Sequence, residues 1–334
     1  EFNVNVCQLP FWALTCYYFW NSINDNKKKS WILFGIFSAL GFLSKYLFIY
    51  ILISLFIFYL VYFKKNKKLH KNYFLSIIIS FIVLIPHFYW LFSNDFVTIF
   101  YGLSRSSLTE SILINHFVNP ATLILKQIII LIPFFIIVFI SLKKFKFNVN
   151  LKNKKIFFLF SITIIPILLI FITSIITGAK IRTMWMTPFY LFFGIFFIEI
   201  FRKNIDFKKI KKFYVIFLFF FLFYPIAYLS VSIFDDTKRT DYPGKEIARL
   251  VQNKWNDNFI NEIKIVVGDE WSAGNLSYHL PSRPTWINDL KNKTNEIKDD
   301  QGVIYVGNQK ILKKICPGIF GAIKPVGYCM IGKR

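Results

Sequence analysis

Residues 31–63 have the sequence WILFGIFSALGFLSKYLFIYILISLFIFYLVYF, in which Lys45 is the only charged residue. A run this long and apolar is stable in the hydrocarbon region of a bilayer, where one Lys costs roughly 2.5–3.5 kcal/mol on insertion scales. A charge in this position is typical of a residue that faces a polar cavity and binds a ligand. The segment therefore predicts a membrane protein with a functional site near Lys45.

Other apolar blocks of about 15 to 22 residues predict further membrane spans. Together with 31–63, these blocks are residues 10–23, 73–92, 121–142, 156–177, 187–201 and 213–233. Hydrophobic residues make up 55% of the 334 positions, as expected of an integral membrane protein. We predict an α-helical polytopic membrane region over residues 1–233.

The net charge of +23 would suggest nucleic-acid binding in a soluble protein, but its distribution indicates membrane topology instead. One set of loops holds 20 of the 41 Lys and Arg residues, and these loops are 27–29, 64–71, 143–155 and 202–212. The opposite loops hold Lys45, Arg105, Lys180 and Arg182. Because basic loops stay in the cytoplasm, the first set is assigned to the cytoplasmic side. No nucleic-acid partner is predicted.

The apolar block around Lys45 is predicted to be a hairpin. Residues 31–43 would form a helix of about 20 Å, which is too short to cross a hydrocarbon core of about 30 Å alone. Basic loops flank both ends of the block, so the chain must go outward and return, with Gly41, Ser44 and Lys45 near the outer tip. The same alternation puts residues 1–9 outside. The chain begins with Glu1 rather than Met. Because this start is predicted to lie outside, we expect at least one earlier span in the parent protein if its N-terminus is cytoplasmic.

Residues 234–334 have a mixed pattern that predicts a small extracytoplasmic α/β domain. We expect helices at 245–255 and 308–315 and buried strands at 263–267 and 303–306. No glycine-rich nucleotide loop occurs in this region. Cys316 and Cys329 would form a disulfide in an oxidising compartment or stay as two free thiols, and the sequence leaves both options open.

Polar and aromatic residues that suit a binding site are predicted to gather on the outer side. Lys45, Arg105, Lys180 and Arg182 could hold an anionic phosphate, since its oxygens accept charge-assisted hydrogen bonds from Lys and Arg. The other candidates are Tyr46, His87, Trp90, Asn94, Asp95 and Trp185. Three alternatives stay open: cations that only extend to the membrane interface, an interfacial aromatic belt, and an Asp95 that caps the next helix. No spacing of His or Cys suggests a metal site, and no cofactor is predicted.

Three segments in order resemble bacterial family 39 glycosyltransferases of the dolichyl-phosphate-mannose protein mannosyltransferase type, which include lipid A aminoarabinose transferases. The segments are residues 3–15 (NVNVCQLPFWALT), 41–46 (GFLSKY) and 86–96 (PHFYWLFSNDF). The similarity extends over residues 1 to roughly 200. It implies the GT-C architecture, with many membrane helices, catalytic outer loops and often an extracytoplasmic C-terminal domain.

The resemblance implies that the protein transfers a sugar from a polyprenyl-phosphate donor to a lipid, glycan or protein acceptor outside the bacterial cytoplasmic membrane, with inversion. Lys45, Arg105, Lys180 and Arg182 would then hold the lipid phosphate, and a carboxylate would act as the general base. In such enzymes the principal acid lies on a first outer loop, which we expect upstream of this chain. Many members carry Asp where this chain has Asn5, so Asn5 would bind or orient substrate. Asp95 would play a supporting catalytic role.

Two other functions are compatible with parts of the pattern. A transporter or flippase of lipid-linked sugars could use the same cations along a translocation path, although such proteins usually show internal repeats and mid-membrane polar residues, which this sequence lacks. A noncatalytic scaffold could use the outer α/β domain to bind partners. In that case the outer cations could be replaced without loss of function.

The predicted topology is testable with fusions at the C-terminus. We expect alkaline phosphatase fused after Arg334 to be active and green fluorescent protein at the same site to be dark in a bacterial host, because the last span ends outside. The activity and fluorescence of the two fusions, normalised to their abundance, are the measurement. A fluorescent fusion without phosphatase activity would place the C-terminal region in the cytoplasm.

Overall fold

The computed structural model describes residues 3–66, 71–106, 113–146, 149–234, 241–288, 302–323 and 326–334. The chain divides into two compact units, Glu1–Phe223 and Tyr224–Arg334, and the division falls within the helix that follows residue 209. The described helices of the first unit, together with α10, are α1 (Val4–Asp25), α2 (Lys28–Ser44), α3 (Ile49–Asn66), α4 (Asn72–Ser93), α5 (Val97–Arg105), α6 (Asn115–Ile140), α7 (Lys154–Thr163), α8 (Ile165–Thr177), α9 (Phe193–Phe201) and α10 (Ile210–Phe234).

The predicted hairpin is confirmed in the structure. Helix α2 ends at Ser44, Lys45 has an extended backbone, and a short 3-10 turn over Tyr46–Phe48 leads into α3. Gly41 makes the reversal possible, because a Cβ atom there would lie 2.3 Å from the buried ring of Phe48. Lys45 thus occupies the tip of the hairpin.

Five helices among the described residues are long and apolar enough to cross a membrane, and a bent pair of helices would make a sixth span. The five are Tyr46–Lys64, Asn72–Ser93, Asn115–Ile140, Lys154–Thr177 and Phe207–Phe234. The chain is therefore a multi-pass membrane protein with a mostly helical fold, as predicted. Helix α1 is not among the five, and its crossing of the membrane stays a prediction.

Two predicted spans differ in detail from the structure. The block 156–177 is divided into α7 and α8 at Ile164, where Pro166 begins the second helix without a backbone N–H to donate. The block 187–201 is a 3-10 helix over Thr183–Tyr190 followed by α9, and the two axes differ by 49°. Neither interruption was predicted, since hydropathy alone does not register a break within an apolar run.

The core of the membrane unit is built around α1. The ring of Trp12 lies 5.4 Å from that of Phe48 at the hairpin and 5.2 Å from that of Phe189 in the 3-10 helix after α8. All three side chains are fully or almost fully buried. Helix α1 therefore fixes the hairpin and the Thr183–Tyr190 segment against each other.

Small residues bring α2 and α4 into close contact. Ser80 Oγ donates a hydrogen bond to the Gly35 carbonyl at 2.8 Å, and a Cβ atom on Gly35 would lie 2.5 Å from the Ser76 carbonyl oxygen. Such small-residue contacts are the usual means of close helix packing in membranes. They hold α4, and with it His87, beside the hairpin.

Lys154 binds the C-terminal end of α1. The Lys154 ammonium donates to Asn24 Oδ1 at 2.6 Å and lies over the rings of Trp20 and Tyr62, at 5.2 and 4.6 Å from their centroids. This contact joins α7 to α1 and α3. The neighbouring Lys155 pairs with Glu199 of α9 at 2.8 Å.

The second unit contains the predicted small α/β fold. Its sheet has the strand order β2-β1-β3-β5-β4, with β1–β3 parallel and β4 and β5 antiparallel, and the predicted helices and strands are present. The elements are α11 (Gly244–Asn256), β1 (Ile265–Val267), α12 (Ser272–His279), β2 (Thr285–Ile287), β3 (Val303–Asn308), α13 (Gln309–Ile315), β4 (Ile319–Ile323) and β5 (Val326–Ile331). Cys316 and Cys329 form a disulfide, which decides between the two options that the sequence left open.

Substitution of Gly35 by Ala should destabilise the membrane unit by about 1–3 kcal/mol, because the added methyl group collides with a backbone oxygen that cannot move independently. The measurement is the thermal unfolding midpoint of the protein in detergent. Gly194→Ala is the matched control, since no atom lies within 4 Å of its added Cβ and Ala favours the helix. Equal midpoints for the two variants would contradict the proposed α2–α4 packing.

Candidate functional site

Lys45 is held by two uncharged side chains. Its ammonium donates to Asn5 Oδ1 at 2.6 Å and lies 4.9 Å from the ring centroid of Trp185. Asn5 is 5% exposed and is fixed in the first turn of α1, where the side chain of Asn3 caps the helix by accepting from the backbone N–H groups of Asn5 and Val6. Because both partners are neutral, the lysine is oriented without being neutralised, and its charge is free to attract an anion.

Tyr46 is the centre of a second hydrogen-bond group directly after Lys45. Its hydroxyl lies 2.9 Å from His87 Nε2 and 2.7 Å from Thr98 Oγ1. The His87 ring is stacked 6.1 Å from the ring of Trp90, one turn further along α4. The network joins the hairpin tip to α4 and α5, and the adjacent Lys45 links it to the first group.

The loop that follows α8 carries Lys180 and Arg182. Gly178 ends α8 in the left-handed conformation with a φ of 67°, and its carbonyl accepts from Asn119 Nδ2 at 2.7 Å. The Lys180 backbone N–H donates to the Ser106 carbonyl at 3.0 Å, which places this loop against the end of α5.

The same loop connects the predicted cations. Trp185, in the 3-10 helix that follows the loop, contacts Lys45. Ser106, which binds the loop, directly follows Arg105. The Arg105 guanidinium lies over the ring of Tyr101 at 5.6 Å. The structure therefore brings together the segments that carry the four cations. That their charged groups bind one ligand in common stays a prediction.

Asn94 and Asp95 are not part of these networks among the described contacts. Both are exposed, and Asn94 Nδ2 donates to the Trp90 carbonyl at 2.8 Å. Asp95 has a φ of 49°, and Phe96 is the N-cap residue of α5, with no side-chain hydrogen bond to the helix. The interpretation that Asp95 caps the next helix is therefore wrong, because the left-handed turn at Asp95 and Phe96 shifts the helix start by one residue.

Two residues of this region, Thr98 and Gln8, were not among the predicted site residues. Thr98 was missed because its partner, Tyr46, is 52 positions away and is brought close only by tertiary packing. Gln8 lies one turn from Asn5, is 1% exposed, and neither its Nε2 nor its Oε1 atom has a hydrogen-bond partner among the described residues. The spacing of Asn5 and Gln8 on one face of α1 was a signal that could have identified it. The described residues contain no group of three His, Cys, Asp or Glu side chains that could hold a metal ion.

One comparison with known proteins gives a match in this region. Residues 1–90 are similar to the dolichyl-phosphate-mannose-protein mannosyltransferase family. A search of curated proteins and a search of solved structures each gave no match.

The match confirms the predicted family, although it ends at residue 90 rather than near residue 200. It includes Asn5, Lys45, Tyr46 and His87 but not the loop after α8. It supports a membrane glycosyltransferase.

Removal of the Tyr46 hydroxyl should destabilise the hairpin tip by about 1–3 kcal/mol, because His87 Nε2 and Thr98 Oγ1 would lose their shared partner in a partly buried position. The test compares thermal midpoints of Tyr46→Phe and wild-type protein in detergent. Tyr17→Phe removes the same group from a side chain that is 58% exposed and serves as the control. A Tyr46→Phe midpoint equal to that of the control would show that the network does not stabilise the fold.

Proposed function

We propose that the protein transfers a sugar from a polyprenyl-phosphate donor to a lipid, glycan or protein acceptor on the extracytoplasmic face, with inversion at the anomeric carbon. The observation that supports this most is the Lys45 ammonium, which is fixed by neutral partners at a hairpin tip inside the family-matched region. A lipid-linked donor carries its anionic phosphate at the membrane interface. Lys45, at the hairpin tip, would supply the cation that binds this phosphate.

Two observations support the extracytoplasmic side. Asn5, which binds Lys45, and Asn24, which binds Lys154, lie 19 residues apart on α1, or about 28 Å along a helix. The site is thus nearly one membrane thickness away from the lysine-rich loop before α7. In addition, the C-terminal unit contains the Cys316–Cys329 disulfide, and disulfides persist in oxidising compartments.

The donor phosphate is proposed to bind Lys45 with the support of Arg105, Lys180 and Arg182. In the reaction, the acceptor hydroxyl oxygen forms a bond to the anomeric carbon while the bond from that carbon to the phosphate oxygen breaks. The electron pair stays on the phosphate, whose growing negative charge the cations stabilise. A carboxylate takes the hydroxyl proton. Asn5 cannot serve as this base because it is an amide, and its proposed role is to orient Lys45.

The remaining site residues are proposed to bind the sugar or the acceptor. Trp90 and Trp185 offer ring faces for stacking, and Trp185 already lies beside the ammonium of Lys45. Tyr46 and His87 offer hydrogen-bonding groups on the same side. Asp95 is exposed next to Asn94 at the exit of α4 and is proposed to support the catalytic base.

An apolar groove supports a lipid donor. It has a volume of about 290 Å³, lies between α2, α3 and α4, and is lined almost entirely by apolar side chains. Phe42 and Phe88 line it, and Phe42 also contacts the Tyr46 ring at 5.3 Å, so that this end of the groove lies beside the Tyr46–His87 pair. A prenyl chain in the groove would leave its phosphate next to Lys45.

Replacement of Lys45 by Gln should weaken binding of a polyprenyl-phosphate sugar at least tenfold, because a charge-assisted hydrogen bond contributes about 1.5–3 kcal/mol. Binding is measured by titration of the purified full chain in nanodiscs. Release of polyprenyl phosphate from a labelled donor is the second readout, and it should fall by a similar factor.

The matched control is Lys126→Gln, which removes one positive charge from an exposed position of α6 outside the site. It should bind donor like the wild type. Lys45→Arg should recover part of the binding, since it restores the charge with a different shape. Wild-type affinity and turnover in Lys45→Gln would contradict the role given to this residue.

A further inference from the structure

A second groove lies where α6 ends and α10 begins, far along the chain from Lys45. A groove of about 480 Å³ is lined there by Ile140, Val215 and Ile216 together with Lys209, Lys211 and Lys212. Three ammonium groups thus border an apolar floor at the ends of two membrane-spanning helices. This combination matches a ligand with an anionic head and an apolar tail.

The groove has a fixed backbone frame. The Lys143 N–H donates to the Asn204 carbonyl and the Asp206 N–H donates to the Ser141 carbonyl, both at 2.8 Å. The Lys209 ammonium donates to the carbonyl of Leu142. These hydrogen bonds hold the end of α6 against the segment before α10, which are the two parts of the chain that line the groove.

Positive charge is concentrated at the start of α10. Helix α10 has no acidic residue in its first turn, where Lys211 and Lys212 add to the positive end of the helix dipole. The carboxylate of Asp206 accepts from the Lys208 N–H and caps the preceding 3-10 turn. An anion in the groove would relieve the repulsion between two lysines and a helix N-terminus.

We propose that this groove binds an anionic phospholipid, with the phosphate held by Lys209, Lys211 and Lys212 and an acyl chain lying on Ile140, Val215 and Ile216. Phosphate oxygens accept charge-assisted hydrogen bonds from ammonium groups. Basic pockets between membrane helices and lysine clusters directly before a span are known forms of anionic-lipid recognition. None of the residues that line this groove belongs to the proposed donor site at Lys45.

The test uses the delipidated full chain in a neutral detergent and counts bound lipids by native mass spectrometry. Wild-type protein should retain one phosphatidylglycerol more tightly than phosphatidylcholine. Lys211→Gln combined with Lys212→Gln should weaken phosphatidylglycerol binding roughly tenfold or more. Replacement of the same two lysines by Arg should keep the binding, because the positive charges are retained.

The matched control is Lys28→Gln combined with Lys29→Gln, which removes the same charge from the first turn of α2, another helix without an early acidic residue. It should leave phosphatidylglycerol binding unchanged, because neither lysine lines the groove. Equal weakening in both glutamine variants would overturn the proposal in favour of a general charge effect. Equal affinity for glycerol phosphate, which has no acyl chain, would overturn it in favour of a free-phosphate site.

Discussion

The contact of the Lys45 ammonium with Asn5 and Trp185 is the interaction on which the rest of the site depends. It joins the first turn of α1, the tip of the α2–α3 hairpin and the segment after α8. The buried ring of Trp12 in α1 joins the same three segments, because it contacts Phe48 after the hairpin tip and Phe189 in the segment after α8. The charge is thus oriented by neutral groups and supported by a packed core.

The neutrality of these partners has a chemical consequence. A carboxylate beside Lys45 would bind it well and reduce its attraction for an external anion, whereas an amide and an aromatic ring orient the ammonium without removing its charge. The apolar groove beside the Tyr46–His87 pair complements this arrangement with a surface for a lipid chain. The apolar surface reaches the ring of Tyr46, the residue directly after Lys45, through Phe42.

Much of this architecture could be predicted from the sequence. The hairpin followed from the length of the apolar block and its single charge, and the α/β unit followed from the change of pattern after residue 233. The break at Ile164 and the bend after Tyr190 could not be predicted, because hydropathy does not change there and proline alone does not mark a break. Pro86, Pro133 and Pro225 all lie inside continuous helices. The Tyr46–Thr98 bond and the start of α5 at Val97, after its N-cap Phe96, likewise depend on tertiary packing and on two left-handed residues.

The proposed binding of a donor phosphate by Lys45 can be seen in a cryo-electron microscopy structure of the protein with bound polyprenyl phosphate. We expect a phosphate oxygen about 2.7–2.9 Å from the Lys45 ammonium, with the prenyl chain in the groove between α2, α3 and α4. A phosphate bound elsewhere, with Lys45 still joined only to Asn5 and Trp185, would contradict it.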